Sequence, residues 1–420
     1  MSVMTRSAVR HLGLLVVLAG VLWIAPTACT PVDGAPDPSG NTNDDGGNAN
    51  DDTTDNTNDN DSPDNGGGPV DPFPVEMATV PGGGAGPAYT FEIGRFEITN
   101  AQFVAFLNDA DLDAGASERS TNMIFADDGG IYMSPELTEE QLLVASNLYD
   151  RSSKIAFDPA AERGQRYGIF YELDNYPVVE VGWYGALKFC NWLTLCEGLG
   201  PEQRAYTEGP NPADWHPVTI TTEDWLLRDP NDEERQLLVD TIRGYRLPMD
   251  NLGIGQKYMN APENVFNEWY KAAAYDPDGP AESRIGPGGE QVSAFHWIYA
   301  FGRDDITAAD ANYRSSNDPF ENDALLASAL SPVGYYDGVN LLADGTPTNA
   351  NANPWGIHDL SGNVGEWLQD FADGRRVRAV EIGGSFDSPD IQLTPTHRGS
   401  RNPWGTHGVL GFRVLRVPEP

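Results

Sequence analysis

The sequence is poor in cysteine, in lysine and in positive charge as a whole. Its 420 residues include three cysteines, too few for the disulfide framework of a small secreted domain. Lysine and arginine together number 26 against 63 aspartate and glutamate residues, so the formal net charge is −37. A polyanion of this size repels phosphate backbones and anionic lipid, so we expect no nucleic-acid partner. With 40% apolar residues, the chain still has enough hydrophobic material for a core.

The sequence also lacks an apolar run long enough to span a membrane, which takes about 20 residues. Residues 12–25 form a shorter apolar run behind basic residues, and this pattern predicts a signal peptide over residues 1–28. Cys29 then follows two small residues, as in the lipobox of bacterial lipoproteins, although Pro26 stands where leucine is usual. We expect an exported lipoprotein of the cell envelope, periplasmic or at the cell surface, anchored through Cys29. Secretion without a lipid is the alternative.

Residues 29–72 differ in composition from the rest of the chain. They are rich in Asp, Asn and Gly and contain no Lys, Arg, Leu or aromatic residue. Such a segment cannot bury enough apolar surface to offset the entropy lost on ordering, so we predict a disordered tether. No second segment of this kind divides the remainder, which predicts one domain over residues 73–417 and a short tail at 418–420.

Helical periodicity is clear in three segments of the predicted domain. Residues 100–108 follow Thr99, a candidate N-cap, and place their aromatic residues on one face. The other two segments are residues 184–196 and 267–275. Short extended pieces, glycines and prolines fill the intervening sequence. This pattern predicts an α+β fold with much irregular backbone.

The densest group of candidate metal ligands lies between residues 359 and 366. Asp359 and Glu366 supply carboxylate oxygens, and Gly362 permits a turn that directs its own carbonyl and that of Val364 to the same point. Two carboxylates and two carbonyls form a calcium-like set, short of the roughly six to eight oxygens that calcium takes unless water completes it. Simple loop capping by the two carboxylates is the alternative.

Several further motifs accompany this segment in order along residues 75–416. Together with it, they resemble the formylglycine-generating enzyme or sulfatase-modifying factor family. The resemblance implies a single, loop-rich α+β domain with a C-type-lectin-like fold, often stabilised by calcium. The motifs lie at residues 76–83, 96–100, 176–183, 189–192, 245–248, 267–269, 383–386 and 411–413, together with Arg398 and Arg401.

The resemblance also implies specific calcium ligands. One ion would be held by the two side chains and two carbonyls of the segment 359–366 described above. A second site would begin at Asn312 with the carbonyl of Tyr313. Asp318 and Asp323 are both candidates for its distal carboxylate.

The copper chemistry of the family requires residues that this chain lacks. Formylglycine-generating enzymes oxidise a sulfatase cysteine with a copper ion held by two cysteines. Those positions match Ser388 and fall near Leu393 here, and no cysteine follows Cys196. Because Cu(I) requires soft thiolates, we expect no copper. Cys190 and Cys196 lie ~9 Å apart along one predicted helix and face different sides, so neither a disulfide between them nor a two-thiolate site is expected.

A second branch of the family uses iron bound by histidines. None of the histidines beyond the predicted signal peptide has the spacing of a local metal-binding motif, so we expect no iron. A centre assembled from distant histidines stays open as an alternative. These histidines are His216, His296, His358, His397 and His407.

Residues 385–407 combine hydroxyl, carboxylate, guanidinium, indole and imidazole groups. In the family this region lines the substrate cleft, and the mixture predicts a ligand groove suited to a peptide, a carboxylate or a glycan. In the alternative, the arginines neutralise the acidic domain and the tryptophan belongs to the core. Ser385 has no neighbouring base and is expected to be a loop hydrogen-bonding residue rather than a nucleophile. The predicted groove residues are Ser385, Asp387, Arg398, Arg401, Trp404 and His407.

Two functions follow from these observations. The first is an exported, lipid-anchored and calcium-stabilised binding module for a peptide, protein or glycan, which touches the membrane only through its lipid. The second is an oxidoreductase that generates formylglycine on sulfatases or acts through a histidine-bound metal. The missing copper cysteines favour the binding module.

Overall fold

The computed structural model describes residues 75–127, 129–133, 154–250, 265–314, 316–321, 329–372 and 376–419. The predicted signal peptide, Cys29, the predicted tether and Asp323 lie outside these residues. Within this part of the chain, no helix is both long enough and apolar enough to cross a membrane.

The described residues form five α-helices and thirteen short strands joined by long irregular connections. The helices are α1 (Asn100–Asp113), α2 (Trp183–Cys196), α3 (Thr222–Trp225), α4 (Asp232–Thr241) and α5 (Glu268–Ala274). The strands are β1 (Met77–Val80), β2 (Phe91–Gly94), β3 (Ile124–Phe125), β4 (Ile131–Tyr132), β5 (Ile155–Phe157), β6 (Tyr167–Ile169), β7 (Arg284–Ile285), β8 (Gln291–Val292), β9 (Gly365–Phe371), β10 (Ala379–Ile382), β11 (Arg398–Arg401), β12 (Leu410–Gly411) and β13 (Leu415–Arg416).

The three predicted helices are present, and a side-chain cap fixes the start of two of them, α1 and α5. Helix α1 begins after Thr99, whose hydroxyl accepts the backbone N–H of Gln102 while the Gln102 side chain accepts the N–H of Thr99. It continues to Asp113, beyond the predicted end, and stops where Ala114 adopts a left-handed conformation. Helix α5 is capped by Asn267.

Helices α3 and α4 were not predicted. Helix α4 starts at a capping box in which Asn231 accepts the N–H of Glu234 and the Glu234 carboxylate accepts the N–H of Asn231. Its sequence is strongly polar, so periodicity gives a weak signal. The Asn231–Glu234 spacing was the sequence cue that could have located it.

Two sheets hold the domain together. In one, the strand order is β1-β2-β13, so the last strand of the described residues pairs with the second. In the other, the order is β11-β10-β9-β12, with β12 parallel to β9 and the other pairs antiparallel. All seven residues of β9 are buried because strands flank it on both sides and other elements cover its faces.

The main hydrophobic core lies between helices α1 and α2 and the two sheets. The Phe103 and Phe189 rings stack at 5.7 Å, and Phe189 meets Phe412 edge to face at 5.3 Å. The Trp183 indole donates to the Leu368 carbonyl of β9 at 2.8 Å. These contacts fix α2 and the chain end against β9, the strand that carries Glu366.

Candidate functional site

Asp359 lies in a tight turn before β9. It has a positive φ of 59°, and its carboxylate accepts the Gly334 backbone N–H at 2.5 Å and the Asn351 side-chain amide at 2.9 Å. Gly362 follows with a φ of 97°, and a Cβ there would lie 2.2 Å from the Asn312 carbonyl oxygen. Only glycine fits this close approach in a left-handed conformation. Gly362 therefore lies in a turn, as its lack of a side chain allows, while the convergence of its carbonyl with that of Val364 stays a prediction. The Asp359 carboxylate has two donors.

Glu366 enters the core at the start of β9. Trp269 donates its indole N–H to one carboxylate oxygen at 2.7 Å. The Arg413 Nε lies 2.8 and 2.7 Å from the two oxygens, and its Nη2 lies 2.6 Å from Oε1. The single Nε–H of Arg413 is shared between the two oxygens, so three N–H groups give each oxygen two close contacts.

Arg413 links the two sheets through a fully buried guanidinium. Besides Glu366, it donates to the Gly94 carbonyl of β2 at 2.9 Å and to the His358 carbonyl at 3.1 Å. Both side chains of the Arg413–Glu366 pair are at most 1% exposed. The pair therefore lies in a dry environment, where loss of either partner is costly.

Glu97 is a third carboxylate in this part of the core. It is 1% exposed, and neither of its oxygens has a hydrogen-bond partner among the described residues. Burial raises the pKa of Glu97 well above its ordinary value, the Asp359 and Glu366 carboxylates raise it further, and Arg413 opposes them. The sequence placed Glu97 in a family motif but contained no signal that its carboxyl group would lie beside Asp359.

The calcium ions implied by the resemblance can be compared with these contacts. Three acidic side chains, Glu97, Asp359 and Glu366, lie near one guanidinium, and the raised pKa of Glu97 favours its neutral form when no cation is bound. Hard carboxylate oxygens suit calcium. The oxygens of Asp359 and Glu97 are of the chemical kind that calcium takes, whereas both oxygens of Glu366 already accept from Trp269 and Arg413.

The residues proposed for a second calcium site have several polar partners. The Asn312 amide nitrogen donates to the Ala329 carbonyl at 2.6 Å, while its side-chain oxygen is buried without a partner among the described residues. The Asp318 carboxylate accepts the Tyr336 hydroxyl at 3.2 Å and the Phe320 backbone N–H at 2.9 Å. The second calcium site at Asn312 and Tyr313 stays a prediction. The Asp318 carboxylate already has hydrogen-bond donors from its own segment and from Tyr336.

The two positions that correspond to copper ligands lie in unlike surroundings. Leu393 is fully buried in a small apolar cluster with Val292, Tyr299 and Phe301. Ser388 lies in a turn, where its hydroxyl accepts the Ser385 backbone N–H at 3.1 Å. Neither side chain offers a soft ligand. Cys190 is a free thiol in the core, and burial raises its pKa.

The predicted groove residues do not lie together. Some lie at one end of the β10–β11 pair, others lie beyond its other end, and one is buried in the interior. Ser385 and Asp387 follow β10, where Asp387 pairs with Arg314 at 3.3 Å and is 68% exposed. Arg398 points inward, 6% exposed, to a buried ion pair with Asp250. Its Nη1 donates to the Thr396 carbonyl at 3.1 Å. Arg398 is thus part of the core rather than of an exposed groove.

The remaining groove residues gather beyond the other end of β11. Arg401 is 37% exposed and pairs with Glu381 at 2.6 Å. Trp404 is partly exposed and stacks on Tyr184 at 5.9 Å. Burial lowers the pKa of His407 to about 4, with a smaller contribution from Arg401, so its imidazole is neutral at pH 7. A guanidinium, an indole and a neutral imidazole, all partly exposed, therefore occur within seven residues of one another.

The histidines are dispersed, and three of them contact a neighbouring backbone or side-chain oxygen through the imidazole ring. His216 contacts the Pro217 carbonyl at 3.0 Å, His296 contacts the Ala294 carbonyl at 2.9 Å, and His358 contacts Asn351 at 3.0 Å. Across the described ranges, no group of three or more His, Cys, Asp or Glu side chains is arranged to hold a metal.

Comparisons with known proteins identify the family. Residues 87–418 match the sulfatase-modifying factor enzyme 1-like domain. The chain belongs to this family. The match confirms the predicted sulfatase-modifying-factor domain and its loop-rich α+β fold. A comparison with curated proteins found no match.

Several solved structures are similar to this sulfatase-modifying-factor domain. CarF is 20% identical with a TM-score of 0.44, and the alignment covers 82% of this chain and 99% of CarF. Treponema denticola variable protein 1 is 16% identical with a TM-score of 0.38, covering 82% of this chain and 98% of that protein. PvdO from Pseudomonas aeruginosa is 15% identical with a TM-score of 0.34, covering 81% and 90%.

Proposed function

We propose that this protein is a binding module of the sulfatase-modifying factor family that does not carry out copper-dependent cysteine oxidation. The observation that carries the proposal is the replacement of both copper-ligand positions, where Ser388 lies in a turn and Leu393 fills an apolar cluster. Cu(I) is held by soft sulfur ligands, and neither a hydroxyl nor an isobutyl group can replace them.

The binding surface we propose is the edge formed by Arg401, Trp404 and His407. A guanidinium binds carboxylates through paired hydrogen bonds, and a partly exposed indole offers a flat face to a sugar ring or an apolar side chain. Because Arg401 forms an ion pair with Glu381, a ligand carboxylate would have to share the guanidinium with Glu381 or displace Glu381 from it. The proposed ligand is a peptide, protein or glycan that carries an acidic group.

A direct assay separates the binding module from an oxidase. The purified protein is incubated aerobically with copper and a Cys-x-Pro-x-Arg peptide, and the peptide is analysed by mass spectrometry. We expect the cysteine to remain unchanged. Conversion to formylglycine would overturn the proposal and favour the oxidoreductase function.

Export and lipid anchoring through Cys29 are the second part of the proposal. The support is the apolar run at residues 12–25 and the small residues before Cys29. Mass spectrometry of the mature protein should find diacylglycerol on an N-terminal Cys29, and Cys29→Ala should release the protein from the membrane fraction. A Cys29 that carries no lipid, or that is joined to another cysteine, would contradict this part.

Calcium stabilisation is the third part. It is supported by the excess of buried carboxylates around Arg413 and by the suitability of hard oxygen ligands for calcium. A ligand that binds only the folded state raises stability in proportion to the logarithm of its concentration above Kd. The melting temperature of the protein should therefore fall when a chelator removes calcium.

A further inference from the structure

Four apolar side chains around helices α3 and α4 are exposed to solvent. Leu226 and Leu227 follow α3, Leu237 lies on α4, and Val377 precedes β10. Each is between 46% and 73% exposed. Single exposed apolar residues are common, but several that lie together within a polar rim mark an interaction site. The contacts of two arginines show that these four lie together.

Arg376 brings Val377 to the end of α3. Its Nε donates to the Trp225 carbonyl at 2.8 Å, and its Nη2 donates to the Arg228 carbonyl. Trp225 and Arg228 are the two residues that flank the pair Leu226–Leu227. The guanidinium also lies over the Trp225 ring, 3.8 Å from its centroid. Val377 directly follows Arg376 and therefore lies within the reach of one arginine side chain from the leucine pair.

Arg228 joins the same leucine pair to α4. It donates to the two carboxylate oxygens of Glu234 at 2.6 and 2.7 Å, in the first turn of the helix. Leu237 comes three residues after Glu234, and residues at that spacing are neighbours on a helix surface. The helix packs on the core through Leu238 and Val239, so Leu237 lies on its outer side. We call the surface formed by the four exposed side chains the leucine face: Leu226, Leu227, Leu237 and Val377.

The leucine face has an acidic rim. Residues 221–241 contain seven acidic residues and two arginines, and both arginines are already paired within the fold. Four of the acidic residues are exposed and form no ion pair with any residue that the structure describes: Glu223, Asp232, Glu233 and Asp240. Glu233 and Asp240 are the helix neighbours of Leu237, and Glu223 comes three residues before Leu226. Unpaired negative charge therefore lies beside the exposed leucines.

This charge selects the kind of partner. A second copy of the chain has the same acidic rim and the same net charge of −37, and like charges across an interface weaken binding. The predicted tether, residues 29–72, is acidic and contains no Leu or aromatic residue that would cover apolar side chains. Anionic lipid is repelled for the same reason. Lys and Arg side chains of a partner protein are attracted to the rim, and apolar side chains between them can cover the leucines.

We propose that the leucine face is a docking surface for a basic, amphipathic helix of another protein. Burial of apolar side chains would supply most of the affinity, because exposed ion pairs contribute little. The acidic rim would speed association and make it dependent on salt. The inference is independent of the calcium proposal and of the proposed edge at Arg401, Trp404 and His407.

Fluorescence polarisation with a labelled probe peptide tests this proposal on the purified protein. The probe is an amphipathic helical peptide of Leu, Ala and Lys, measured at low and at high salt. Leu226→Ser combined with Leu237→Ser leaves the net charge unchanged and should weaken probe binding at least about tenfold. The matched control is Val339→Ser combined with Leu341→Ser. It replaces two exposed apolar residues that lie near other acidic residues, and it should bind the probe as wild type does.

A second pair of measurements tests the electrostatic part. Glu233→Gln combined with Asp240→Gln should weaken binding at low salt and reduce its salt dependence, and a peptide with Glu in place of Lys should not bind. Because every replaced side chain is exposed, all variants should melt as wild type does.

Several outcomes would overturn the proposal. These are a wild type that does not bind the probe, equal binding by the leucine variant and wild type, and an equal loss in the control variant. Dimerisation in analytical ultracentrifugation that the leucine variant abolishes would show that a second copy occupies the face instead. The peptide oxidation assay bears on none of these outcomes, so the proposed function and this inference fail separately.

Discussion

Replacing Arg413 by methionine tests whether the buried guanidinium holds the centre of the domain together. Methionine keeps most of the apolar volume of the arginine stem but removes every donor. Glu366 would lose three of its four close contacts, and the carbonyls of Gly94 and His358 would lose a donor each. Breaking a buried ion pair from one side costs about 3–5 kcal/mol, because the remaining charge stays buried. Because two buried carbonyls also lose a donor, we expect a loss of unfolding free energy at the upper end of that range, about 5 kcal/mol.

Equilibrium unfolding in urea with a chelator present measures this loss, and Arg416→Met provides the matched control. Arg416 pairs with Glu92 at 2.7 Å, with both side chains partly exposed, 29% and 22%. Partly exposed pairs contribute about 0–1 kcal/mol. The Arg413 variant should therefore lose at least about 3 kcal/mol more than the Arg416 variant. Equal losses would show that the buried carboxylates do not depend on Arg413 and would refute the reasoning.

Two further predictions concern pH and backbone conformation. Because the pKa of His407 is about 4 in the folded protein and about 6.5 when unfolded, the unfolded chain binds more protons between these values, and stability should fall as the pH drops from 6.5 to 4. The folded and unfolded pKa values differ by about 2.5 units, which limits this contribution to the unfolding free energy to about 3 kcal/mol. In urea unfolding, His407→Gln should reduce the loss of stability between pH 6.5 and pH 4 by up to that amount. An unchanged pH profile would contradict this prediction. Gly362→Ala should lower the free energy of unfolding by at least about 2 kcal/mol, measured by thermal melting. The added Cβ would clash with the Asn312 carbonyl, and alanine would also be held at a left-handed φ. Gly345→Ala, with a φ of 82° and no atom within 4 Å, should cost about 1 kcal/mol, and equal losses would refute the close contact.

Local sequence signals predicted the elements whose causes are local. Thr99 and Asn267 cap α1 and α5 as their side-chain chemistry requires, and the positive φ at Gly362 follows from its lack of a Cβ. The absence of copper ligands near the chain end is likewise a property of the sequence, because no fold can turn Ser388 or Leu393 into a thiolate. Helix α4 was missed because its apolar pattern is weak, although its capping box was visible.

Only the tertiary structure decided how the charged residues pair. Arg398 and Arg401 lie three residues apart in one strand, yet one forms a buried pair with Asp250 and the other remains partly exposed beside Glu381. Likewise, Glu366 became the partner of Arg413, while Glu97, more than 250 residues earlier, was left with two unsatisfied oxygens. Local sequence determines caps, turns and the available ligand chemistry. The partner of a buried charge depends on which distant segments meet, and here that is set by the pairing of β2 with β13 and of β9 with β12.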